Sequence, residues 1–104
     1  MTRAAKAGYV AECFWAGVQD SDLEALDRRA ETSSAELSRN GERVRYLGSI
    51  LMRQDEVVLC FFEGDAASVR RAAERAEIPF ERILESAGSP WPAVKPSRLA
   101  ARNR

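Results

Sequence analysis

No histidine occurs among the 104 residues, and this one absence removes a good deal of chemistry. Without an imidazole there is no Ser–His or Cys–His nucleophilic pair. Cysteine is nearly as scarce. Cys13 and Cys60 stand far apart with no CxxC spacing, whereas a structural zinc site needs about four ligands closely spaced. They read as two buried, reduced thiols. The few glycines, Gly41, Gly48 and Gly64 among them, are isolated, so no phosphate-cradling loop is present. No apolar run approaches the ~20 residues that span a bilayer. The opening MTRAAKAGYV has a basic start but no apolar core of signal-peptide length. The expectation is a cytoplasmic protein that needs no metal and no cofactor.

What is present is an ordinary globular composition, 45% hydrophobic and 31% charged, in a chain long enough for one domain. Its zero net charge hides an asymmetry. All 16 acidic residues lie between Glu12 and Glu85 with only ten of the 16 basic ones. That body is six charges negative, and the two ends, with Arg3, Lys6, Lys95, Arg98, Arg102 and Arg104, are six positive. Basic ends without interleaved aromatics are a poor nucleic-acid signal, so two solvated tails are the plainer reading and contact with an acidic body the sharper one.

Residues 44–63, VRYLGSILMRQDEVVLCFFE, anchor the fold. Val44, Tyr46, Gly48, Ile50 and Met52 alternate with Arg45, Leu47, Ser49 and Leu51, the period of a strand. A polar break at 53–56 precedes the apolar run Val57 to Phe62, which suits a strand covered on both faces. Upstream, residues 9–15 read as a first strand. Ser21 and Glu24 form a capping box that opens a helix, which Leu23, Leu26, Ala30 and Leu37 continue and Asn40-Gly41 ends. Asp65 caps a second helix with Val69, Ala72, Ala73 and Ala76 on its inner stripe, stopped at Ile78-Pro79. Residues 80–87 make a weaker fourth strand. The order β-α-β-β-α-β gives, with right-handed crossovers, a ferredoxin-like α+β plait: a four-stranded antiparallel sheet with two helices on one face. Its boundaries are a flexible end at 1–8, the domain at 9–88 and a basic, proline-containing tail at 89–104, with Trp91 the tail's one aromatic contact to the body.

The stretches YVAE at 9–12, VRYLGS at 44–49 and IPFERI at 78–83 carry a resemblance. The chain resembles, over roughly residues 9–87, a family of small bacterial ferredoxin-like proteins of unassigned function, some described as nickel-binding. The resemblance implies the plait and a tendency to dimerise. Nickel transfers poorly, because it favours imidazole ligands that this chain lacks.

One polar constellation remains. A carboxylate facing a helix-packed core costs several kcal/mol unless paired, so Glu12 is placed on the open face of the sheet, with Phe14 beside it. The same parity puts Arg45 and Ser49 on that face. Two readings stand. In one, Glu12 pairs with a basic side chain and only holds the sheet together. In the other, Glu12, Phe14, Arg45 and Ser49 line a small-molecule pocket, where a carboxylate in an apolar setting has a raised pKa and serves as general acid or base. Val10, Phe14, Leu47, Leu51 and one side of the third strand leave the uncovered face apolar, which points to a homodimer closed through it. The function follows in two forms: a dimeric small-ligand binder, or a non-catalytic dimeric interaction module.

Overall fold

The computed structural model describes residues 8–86; the two basic ends lie outside that range. The elements are β1 (Gly8–Phe14), α1 (Asp20–Arg39), β2 (Val44–Met52), β3 (Val57–Gly64), α2 (Ala66–Arg75) and β4 (Arg82–Ser86). They build the expected ferredoxin-like plait. The sheet is antiparallel with strand order β2-β3-β1-β4, so the first and third strands are central and β2 and β4 are edges.

The core lies between the sheet and the helices. Ala11 and Cys13 of β1, Val58, Cys60 and Phe62 of β3, Leu26 and Ala30 of α1, and Val69, Ala72 and Ala73 of α2 are fully buried. The small stripe on α2 lets it lie close to α1, where the Ser33 hydroxyl donates to the Ala72 carbonyl at 2.9 Å. Ser33 and Ser34, which interrupt the apolar stripe of α1, are buried rather than turned outward.

Two local expectations shift. The first helix opens two residues early, with its first helical residue at Asp20, and its reach-back pair is not Ser21 and Glu24. Gln19 is the N-cap, and its backbone N–H donates to the Asp22 carboxylate at 2.8 Å. Acidic side chains at 20 and 22 complement the helix N-terminus, so either frame satisfies the same pattern. The second shift is larger. Pairing of β2 with β3 slips between Tyr46 and Gly48, leaving Leu47 as the extra residue of a β-bulge, and Gly48 takes φ +128°. One inserted residue reverses the parity of everything after it. Val44 and Tyr46 face the helices before the bulge; Ser49 and Leu51 face them after it, opposite Cys60 and Val58.

Candidate functional site

The open face of the sheet can be laid out row by row from the register. Met52, Val57 and Phe14 form the first row, and Ile50, Leu59, Glu12 and Arg82 the second. Gly48, Phe61, Val10 and Leu84 form the third; Arg45, Glu63, Gly8 and Ser86 the last. The first three rows are apolar but for one pair. Among the described residues, the large hydrophobic side chains that remain exposed are Phe14 at 58%, Ile50 at 46%, Met52 at 45% and Leu84 at 40%. All four lie on this face.

Glu12 takes the expected side of β1 and has a partner. The Arg82 guanidinium on the neighbouring edge strand donates to Glu12 Oε1 at 2.6 Å. The Glu12 side chain is 18% exposed and Arg82, which covers it, 62%. A carboxylate on an apolar sheet is thereby neutralised where it stands. Arg45 also lies on the open face, but at its far corner, where it pairs with Glu63 at 3.1 Å. Phe14 sits at the opposite corner, in the first row.

Ser49 does not join them. The bulge turns it toward α1, where its hydroxyl donates to Asp27 Oδ1 at 2.8 Å. Leu51 turns the same way and packs on the core, while Ile50 and Met52 take the open positions that plain alternation assigns to Leu47 and Leu51. The four residues expected to line one pocket are thus divided between two faces and opposite corners.

The helix-facing side holds a polar cluster that sequence pattern did not reveal. The Tyr46 hydroxyl donates to Asp27 Oδ1 at 2.5 Å, beside Ser49, and the Tyr46 ring meets Phe62 edge-on with centroids 5.1 Å apart. Burial above all, then the neighbouring Cys60 and the bond to Asp27, hold the Tyr46 phenol far above its ordinary range. Cys13 and Cys60, on adjacent central strands, are fully buried free thiols. The contact with Cys13, followed by burial, pushes the Cys60 thiol well up. The signal that would have located the cluster is Asp27, whose i,i+4 spacing from Leu23 puts a carboxylate beside the apolar stripe of α1.

The comparisons with known proteins address the chain as a whole. A family model described as nickel responsive protein SCO4226-like matches residues 13–85. The chain belongs to that family. Among solved structures, the crystal structure of SCO4226 from Streptomyces coelicolor A3(2) is similar, with a TM-score of 0.58 and 20% sequence identity. The match covers 79% of this chain and 98% of that one; identity at this level speaks for the shared fold. No curated protein matches. The family's description raises nickel, and the donor set here does not fit that metal. The chain has no histidine, and among the described residues no three Cys, Asp or Glu side chains are grouped to hold an ion.

Proposed function

We propose that the protein is a non-catalytic, homodimeric interaction module whose working surface is the open face of its sheet. The observation that carries this reading is the placement of Phe14, Ile50, Met52 and Leu84, the exposed large hydrophobics, all on that one face. A contiguous apolar patch is unfavourable in water and normally marks an interface. A twofold arrangement lets one patch cover its own copy. We place the protein in the cytoplasm, where paired thiols such as Cys13 and Cys60 stay reduced; among the described residues no helix is long and apolar enough to cross a membrane.

A small-molecule pocket with proton transfer by Glu12 is the lesser reading. Glu12 is already engaged by Arg82, and Ser49 faces away. A ligand in a gap between two such sheets would meet a greasy floor with one ion pair in it, which suits binding better than acid–base work. Nickel does not enter the proposal, for want of donors.

Light scattering at micromolar concentration tests it. The expected mass is about twice the 11.6 kDa of the chain. Changing Val57 and Leu59, on a central strand of the face, to Lys should give a folded monomer. A wild-type monomer that binds no hydrophobic dye would sink both the dimer and the pocket.

A further inference from the structure

The open face is not the molecule's one unspent surface. A groove of about 620 Å³ lies between α1 and the start of β2, with Glu31, Ser34 and Ser38 on its helix side and Val44, Arg45 and Tyr46 on its strand side. Among the described residues β2 is an edge strand, so the outward N–H and C=O groups of its backbone meet no described strand. The bulge comes only after Tyr46; up to that point the edge is regular and able to pair.

Among the described residues, two side chains in the groove lack partners. Ser34 is 3% exposed, and among the described residues its hydroxyl meets no hydrogen-bonding group. Buried polar groups are nearly always paired, so an orphan of this kind signals a missing partner. Glu31, one turn earlier on α1, forms no ion pair with any described residue. The other carboxylates there are engaged: Glu42 accepts from Ser68 and Arg71, and Glu63 pairs with Arg45.

The last row of the sheet says what can reach it. Ser86, where β4 ends, pairs with Gly8; Gly8 pairs with Glu63, and Glu63 with Arg45. The chain therefore leaves β4 at the end of the sheet where the groove opens, three strand spacings away, about 14 Å. Residues 87–94 can extend roughly 26–29 Å. Beyond them come Lys95, Arg98, Arg102 and Arg104, and residues 97–104 contain no proline, as strand pairing requires.

We propose that the groove is a strand-addition site filled by the chain's own basic segment, residues 95–104. In this arrangement the segment's main chain pairs with the outer edge of β2, the recurring way an extended peptide joins a sheet. A main-chain N–H satisfies the Ser34 hydroxyl, and a cationic side chain settles on Glu31. The four positive charges of this segment then offset part of the body's six negative ones within one molecule.

Lys95 and Lys6 are the chain's two lysines, which makes zero-length cross-linking decisive. The full chain treated with a water-soluble carbodiimide should yield a Lys95–Glu31 amide as the main product of Lys95, formed within one chain in mixtures of isotopically light and heavy protein. Changing Lys95, Arg98, Arg102 and Arg104 together to Ser, outside the folded core, should speed amide exchange along Val44 to Tyr46 at least tenfold. Lys95 linked only to carboxylates outside the groove, or linked between chains, overturns the proposal. So does a Lys6 link to Glu31, which would seat the other end there, or exchange unchanged in the fourfold variant.

Discussion

At the scale of single residues, the polar side chains matter for where they are held. Glu12 and Asp27 are both carboxylates on the sheet's two sides, and each is held by a partner from a neighbouring element. The Tyr46–Asp27 bond gives a sharp test. Tyr46→Phe keeps the ring against Phe62 and removes one hydrogen bond, so stability at neutral pH should fall by roughly 1–2 kcal/mol in urea unfolding. The pH dependence follows from the raised phenol. In the unfolded chain tyrosine loses its proton near pH ~10, while the folded state keeps it, so the unfolded state binds fewer protons above that pH. The contribution of Tyr46 is complete below pH ~10 and drains away as pH rises, by about 1.4 kcal/mol per unit. The gap between wild type and Tyr46→Phe should therefore narrow between pH 10 and 11. Parallel profiles would show that the phenol is not buried with its proton.

At the scale of elements, backbone geometry decides which side chains meet. Gly48 and Gly64 both have positive φ, +128° and +135°, but for different ends. An added Cβ at Gly48 touches nothing, whereas at Gly64 it falls 2.1 Å from the Arg43 carbonyl oxygen. Gly48→Ala should cost about 1–3 kcal/mol, the strain of the backbone alone. Gly64→Ala adds a collision with main chain that cannot turn aside, so it should cost more by at least ~1 kcal/mol, or prevent folding. Equal losses from thermal melts would mean that the β3–α2 junction opens to admit the methyl. The same glycines mark where sequence reading succeeds and fails. The apolar run of 57–62, the helical stripes and the Asn40-Gly41 stop were legible, because each is a periodic or local signal, and so was the side of β1 on which Glu12 stands. The site residues on β2 were not. Arg45 and Ser49 share parity and belong on one face of any regular strand. The single unpaired Leu47 separates them, and an isolated glycine is only a weak sign of such a slip. Partners were also out of reach. Nothing in the local pattern ties Arg82 to Glu12 or Asp27 to Tyr46; those pairs exist because the topology sets β4 beside β1 and α1 across β2.

At the scale of the whole molecule, the described fold has one covered face, one apolar open face and two edges of unlike character. The β4 edge is short and carries Arg82, which holds a neighbour's carboxylate; the β2 edge is longer, regular at first, and flanked by a groove. Edge and face are independent surfaces, so pairing along one leaves the other available. The pairing of Gly8 with Ser86 bears on something else, the order in which the chain is strung. Paired residues on adjacent strands have Cα atoms only about 5 Å apart, so a few added glycines could join 86 to 8 without disturbing either strand. The chain could then be opened in the exposed turn at 53–56, since the sheet's rows, the bulge and the helix packing do not depend on the β2–β3 connection being covalent. A permuted chain that begins at Asp55 and ends at Gln54 should give the wild-type circular dichroism and a single cooperative melt, at a somewhat lower temperature because the hairpin has become a long-range pairing. Loss of cooperativity in that variant would make the β2–β3 turn, rather than the face it presents, the part of the molecule on which assembly depends.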